Sequence, residues 1–184
     1  MFILKTIPNF LSEIECSDLI KQYVELSLVD SEYYSKENKL TINTKVRDSK
    51  IIFVSNELIE TKIKEELKKH ILIKGHNFIG LERLQFTKYD LNGHYDWHRD
   101  SDINYTNNRY FSVVIPLNMD YENGELLCKD LDNNVITLEK KTGNMHVFSS
   151  TLLHKVTNVT YGVRYSLVTW LSLEKIKDFK KSLT

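Results

Sequence analysis

Tyr89-Asp-Leu-Asn-Gly93-His-Tyr95-Asp-Trp-His98-Arg-Asp100 is the stretch on which the fold and the chemistry both turn. A β-rich run, Leu81–Tyr89, leads into it. Asn92-Gly93 then breaks the run, and Asn-Gly is the strongest short hairpin signal because both residues tolerate positive φ. Beyond the turn stand two His-x-Asp pairs, His94/Asp96 and His98/Asp100. Side chains two apart on a strand share a face, so either pair can reach one ion. All four residues have the same parity, and period alone does not choose between the pairs. Gly93 places His94 in the turn, where its side chain would be poorly fixed, which favours His98 and Asp100.

Downstream the texture stays β-like. Short β-branched and aromatic runs recur at Tyr110–Leu117, Leu126–Lys129, Val135–Leu138, Met145–Phe148 and Val163–Leu171. Asn123-Gly124 and Thr142-Gly143-Asn144 punctuate them. Closely spaced strands with such turns predict a barrel or a double sheet rather than a parallel βαβ fold.

Upstream the pattern is mixed. Met1–Ile7 reads as a strand. Ser12-Glu-Ile-Glu15 is a capping box, and Cys16, Leu19, Ile20, Tyr23 and Val24 follow at helical spacing, predicting a helix over about 14–28. Polar Ser31–Asn43 reads as a long loop, Val46–Val54 as β-rich, and Ile59, Ile63, Leu67 and Ile71 as one face of a helix over about 56–73.

The chain has 184 residues, 41% hydrophobic and 27% charged, with a formal net charge of zero. This balance fits one globular domain over 1–184, with helical support over about 1–78 and a barrel core over about 79–173. It offers no basic excess for nucleic acid and no polybasic tract for a membrane surface. No signal peptide or transmembrane run is legible, and two Cys without a CxxC spacing read as reduced thiols. The expected location is cytoplasmic.

A third ligand must come from another strand. His154, between the runs at 145–148 and 163–171, is the candidate, and His146 is its competitor. His70 and His76 lack an acidic partner at short spacing and read as structural. Two His and one carboxylate leave three positions open on an octahedral metal, the pattern of non-haem Fe(II) oxygenases. A closed zinc site would want four ligands, usually with thiolates, and no Cys lies near His98 or His154 in sequence. Arg164 and Ser166 share one strand face. A buried guanidinium there would serve either an internal ion pair or a bound carboxylate.

These residues resemble a known family. Tyr89…Gly93…Tyr95-x-x-His98-x-Asp100 is similar to the first block of the prolyl 4-hydroxylase group of Fe(II)/2-oxoglutarate-dependent oxygenases. His154-x-Val156, the turn ending at Gly162, Arg164-x-Ser166 and Trp170 resemble the second block. The resemblance runs from about 85 to 171 and implies a double-stranded β-helix, or jelly roll. It implies Fe(II) on His98, Asp100 and His154, with 2-oxoglutarate as co-substrate held by Arg164 and lined by Tyr89 and Ser166. It places Tyr95, Arg109 and Trp170 against a proline-containing peptide or protein, with O2 as oxidant and ascorbate as reductant. Succinate and CO2 would leave. Other targets within the same chemistry are another amino-acid side chain or a small molecule, and a non-enzymatic metal-binding jelly-roll module is the other class. Pro116 stands where many members carry Tyr, so another group would have to supply a second hydrogen bond to the co-substrate. Loops 31–43 and 101–108 are expected as lids.

Overall fold

The computed structural model describes residues 3–34, 40–70, 76–102 and 108–175. In chain order the first part gives β1 (Leu4–Ile7), α1 (Glu13–Val24), β2 (Val29–Asp30), β3 (Tyr33–Tyr34), β4 (Leu40–Thr41), β5 (Arg47–Asp48), β6 (Lys50–Val54) and α2 (Glu57–His70). Then come β7 (His76–Leu81), β8 (Leu84–Tyr89), β9 (His94–His98), β10 (Arg109–Pro116), β11 (Glu122–Asn123) and β12 (Leu126–Lys129). The remainder is β13 (Val135–Thr137), β14 (Met145–Ser149), β15 (His154–Val156), β16 (Val159–Tyr161) and β17 (Arg164–Lys175).

The capping box forms as expected: Ser12 Oγ accepts from the Glu15 N–H at 3.2 Å, and Glu15 accepts from the Ser12 N–H at 2.8 Å. The helix ends at Val24, four residues short of expectation, because the chain turns at Leu26 to pair β2 with β6. The stretch expected as loop over 31–43 carries the β3–β4 pairing, and its residues 35–39 lie outside the described ones.

A major antiparallel sheet runs β1-β14-β10-β17-β8-β6-β2, with β7 also on β17. A minor sheet runs β13-β12-β15-β9-β5. One core lies between the helices and the major sheet. Cys16, Ile63, Phe86, Phe111, Val113, Val147 and Leu167 fill it. A second core, with Tyr89, Val114, Leu126, Cys128, Phe148 and Val156, lies between the two sheets. The central strands of the major sheet are therefore buried on both faces, which is why β14 is buried at every position. Along β17 the odd residues Leu167 and Leu171 face the helices. The even residues Arg164, Ser166, Val168 and Trp170 face the inter-sheet space. This is the expected double-stranded β-helix, present as two facing sheets rather than a barrel closed by hydrogen bonds.

The three turn signals do not close hairpins. Asn92-Gly93 joins β8 of the major sheet to β9 of the minor one, and Thr142-Gly143-Asn144 joins β13 to β14 across the same gap. Asn123-Gly124 leads from β11, paired with β16, into β12. The physical reason is local. At the first turn only Asn92 takes positive φ (66°), and Asn92 N–H and Gly93 C=O bond to Val159 instead of across a two-residue loop. Gly143 has φ 78°, and a Cβ there would lie 2.0 Å from Leu11 O, so close backbone packing demands glycine. Among the described residues the hairpin between consecutive strands without a gap is β12–β13, built on the Asp130–Asn134 turn. The first third also contributes strands to both sheets, β1, β2 and β6 to the major and β5 to the minor.

Candidate metal centre

β15 pairs with β9 so that His154 faces His98, but the next pair is Val156 with Tyr95. Two residues of β15 thus span three of β9, a bulge at 96–97. The bulge resolves the choice that parity left open. It turns Tyr95 and His98 to the cavity and sends Asp96 outward, where it meets Lys155 at 3.6 Å. His94 is not in the turn as expected. It begins β9, and its ring lies between the carbonyls of Asn92 (3.0 Å) and Lys45 (3.3 Å), away from the site.

His98, Asp100 and His154 converge, with ligand atoms all within 4.8 Å of one another. His98 Nε2 is 3.7 Å from one Asp100 oxygen and His154 Nε2 is 3.4 Å from the other. Each imidazole is fixed from behind: Nδ1–H of His98 donates to Asp96 O at 2.8 Å and that of His154 to Leu152 O at 3.0 Å. Both Nε2 lone pairs are left facing the centre. Burial, then His154, hold His98 well below the ordinary imidazole range. Burial pushes the Asp100 carboxyl up, but His154, His98 and the Ser112 hydroxyl outweigh it and bring it to about 2. The site therefore presents an ionised Asp100 carboxylate beside a neutral His98 imidazole. Cys128 lies across from His154 in the sheet register but is outside the ligand group, and burial pushes its thiol up to about 12.

This donor set fits a ferrous ion with open positions and not a closed thiolate zinc site.

Ser112 Oγ donates to Asp100 Oδ2 at 2.6 Å and contacts Ser150 Oγ at 2.9 Å. The sequence reading gave neither serine a role. A small polar residue inside the apolar strand Phe111–Pro116 was the available signal. The competitor His146 is buried at the other side of β14, between Thr6 Oγ1 (2.9 Å) and Glu139 O (3.1 Å). His70 has the acidic partner denied to it, Glu66 one helical turn back at 2.8 Å.

Arg164 is 2% exposed, lies 5.0 Å from the Tyr89 ring centroid and donates to Ser166 Oγ at 3.2 Å. Its Nε has no acceptor, and none of the ion pairs among the described residues includes it. A buried guanidinium without a carboxylate fits a ligand that brings one. Gly124 leaves room for the Arg164 side chain: a Cβ there would meet Tyr121 and Val159 at 3.0 Å and Arg164 Cδ at 3.3 Å.

The cavity of about 770 Å³ joins these parts and is also lined by Tyr95, Arg109 and Trp170. Arg109 stacks 3.7 Å over Trp170 and forks onto Glu82 with two 2.6 Å bonds. The Trp170 indole N–H is buried toward Asp100 but outside hydrogen-bond geometry. Arg47, unassigned from sequence, lies 4.5 Å over Tyr95, whose ring in turn stacks on His98. Of the segment expected as a lid over 101–108, residues 103–107 lie outside the described ones.

Two facing antiparallel sheets around a two-histidine, one-carboxylate site define a class, the jelly-roll non-haem metalloproteins. Residues 84–172 match the family described as the 2OG-Fe(II) oxygenase superfamily. A PKHD-type hydroxylase of Synechococcus sp. (strain CC9311) is 28% identical over 116 residues, 61% of this chain and 52% of that protein. The chain thus spans about half the length of that relative. A prolyl hydroxylase of Trichoplax adhaerens, solved with a hypoxia inducible factor oxygen degradation domain peptide, superposes with a TM-score of 0.78 at 17% identity, over 92% of this chain and 83% of that one. A Pseudomonas putida prolyl-4-hydroxylase gives 0.74 at 17% identity, covering 92% and 91%. The viral collagen prolyl hydroxylase of Paramecium Bursaria Chlorella virus-1, in its 2OG complex, gives 0.66 at 21% identity, covering 91% and 94%. At these identities the structures establish a shared fold.

Proposed function

We propose that residues 1–184 form one oxygenase domain that hydroxylates a C–H bond of peptidyl proline, using Fe(II), 2-oxoglutarate and O2. The observation that carries this reading is the triad and the buried Arg164, whose Nε lacks an acceptor and which forms no ion pair among the described residues, opening into one cavity. With Fe(II) bound, the site supplies oxidative chemistry in which R–H, 2-oxoglutarate and O2 become R–OH, succinate and CO2.

The protein's own part is positional. His98, Asp100 and His154 would hold the metal. Ser112 keeps Asp100 ionised and oriented. Arg164 takes the distal carboxylate of 2-oxoglutarate, with Ser166 as its hydrogen-bond companion and Tyr89 as a wall. Tyr121 packs beside Arg164. Tyr95, Trp170 and the Arg109 side chain fixed by Glu82 form the apolar and aromatic surround of the target ring. Ascorbate serves as reductant, the location is cytoplasmic, and neither nucleic acid nor membrane is a partner. No helix among the described residues is long and apolar enough to cross a membrane.

Mass spectrometry of proline-containing peptides incubated with the protein, Fe(II), ascorbate and 2-oxoglutarate tests the reading. The expected result is a gain of one oxygen at proline with matching succinate. Succinate without any peptide product, or oxidation only at other residues, would remove the prolyl assignment.

A further inference from the structure

Twelve large apolar side chains are exposed among the described residues, and four of them line one cavity, the one that holds the triad. They are Val29 (61% exposed), Leu40 (55%), Ile42 (56%) and Phe53 (41%). The topology explains the clustering. Phe53 and Ile51 pair with Gln85 and Thr87 of β8, so all four share the inner face of the major sheet. Val29 continues that face through its pairing with Ile51. The face runs on to the edge strand β2, and Val29 and Phe53 stay in solvent there while the same face near β8 is buried. Leu40 and Ile42, on and just after β4, extend the apolar wall.

Contiguous exposed apolar surface beside a reactive centre marks a docking site. A cavity of about 770 Å³ sits in the upper part of the roughly 300–1,000 Å³ range that holds drug-sized ligands, more than a dicarboxylate and one side chain require. The exposed charges on the same rim are acidic, Asp30 and Glu32, and Arg47 is buried beneath Tyr95. An acidic, apolar rim repels a polyanion and suits a segment carrying an aliphatic side chain and a cation.

Resting on the oxygenase reading above, we infer that the substrate is an extended peptide with a bulky aliphatic residue beside the target position and a Lys or Arg further out. The aliphatic residue docks on Val29, Leu40, Ile42 and Phe53, and the cation meets Asp30 and Glu32. The surface sets the flanking sequence that the enzyme accepts.

Fluorescence anisotropy of labelled peptides with a common central proline tests this on the full chain, independently of turnover. A Leu/Lys-flanked peptide is expected to bind roughly tenfold more tightly than Ser/Lys or Leu/Glu counterparts. Phe53→Ser and Ile42→Ser each remove most of the Leu preference, while Leu58→Ser, exposed on α2 away from the cavity, leaves it. Asp30→Lys reverses the preference between Lys and Glu flanks. Equal binding of all three peptides, or a Leu preference that survives both wall substitutions, would overturn the inference. A Leu/Lys peptide that binds selectively but gains no oxygen with Fe(II) and 2-oxoglutarate would instead overturn the peptidyl-proline reading and leave the docking surface standing.

Discussion

The Tyr95 ring lies flat on the His98 imidazole, with centroids 3.4 Å apart and planes within 14°. Arg47 caps the other face of Tyr95 at 4.5 Å, so His98 is held by a three-layer stack as well as by its bond to Asp96 O. An aromatic stack contributes on the order of 1 kcal/mol beyond area burial. Tyr95→Ala should therefore weaken Mn(II) or Fe(II) binding roughly fivefold, and Tyr95→Phe should hold it near wild type. Metal titration followed by calorimetry checks this. Equal affinities for Ala and Phe variants would show that the stack does not position the ligand.

Asp100 contributes the only anionic ligand of the triad, and its charge is maintained by both imidazoles and Ser112. Metal that binds the folded state raises thermal stability by mass action. Saturating Mn(II) should raise the melting temperature of the wild type and leave Asp100→Ala and His154→Ala unmoved. Ser112→Ala should retain the shift at higher metal concentration, with affinity lowered roughly tenfold, the low end for an outer partner of a ligand.

Much of this arrangement was legible in residue spacing, and the parts that were not have identifiable causes. β12 ran over Leu126–Lys129 as read, because its length and its branched side chains are local properties. Which strand pairs with which is not local. Asn-Gly signals a tight turn, but the turn at 92–93 bonds to Val159 and becomes a corner between sheets. The two His-x-Asp pairs were indistinguishable by period because the bulge at 96–97 exists only in the pairing of β9 with β15. Arg164 was found through its parity with Ser166. Arg47 was missed because its importance comes from Tyr95, a partner on another strand, and the rim of the cavity because exposed apolar residues at 29, 40, 42 and 53 join only in three dimensions.

Arg164 carries a positive charge in a buried place with its Nε unbonded. Removing such a group should help the apo protein while it harms ligand binding. Arg164→Met is expected to raise the melting temperature without ligand, by an amount corresponding to about 1–2 kcal/mol. The same variant should lose at least roughly tenfold in 2-oxoglutarate affinity, measured anaerobically with Mn(II) in the site. A variant that is both less stable and unimpaired in binding would point to an internal structural role for the guanidinium instead.

His146 offers a titration outside the metal site. Burial, the largest influence, lowers its pKa to about 4; the bond to Glu139 O opposes that, and Arg164 adds to it. Nε2–H donates to Glu139 O and Nδ1 accepts from the Thr6 hydroxyl, so the neutral ring is fully satisfied in the fold. The unfolded chain takes up its proton near pH 6.5, whereas the folded one resists until about pH 4. Between those values the unfolded state binds more protons, and stability falls as pH is lowered, by up to about 1.4 kcal/mol per unit and on the order of 3 kcal/mol across the window. His146→Gln can keep both hydrogen bonds without a titrating group. Its urea-unfolding free energy should decline less steeply than that of the wild type between pH 6.5 and 4 and run parallel to it above pH 7. Parallel slopes throughout would mean that the ring protonates in the folded protein as easily as in the unfolded one, and that the enclosure of His146 by β1, β14 and Glu139 opens at mildly acidic pH.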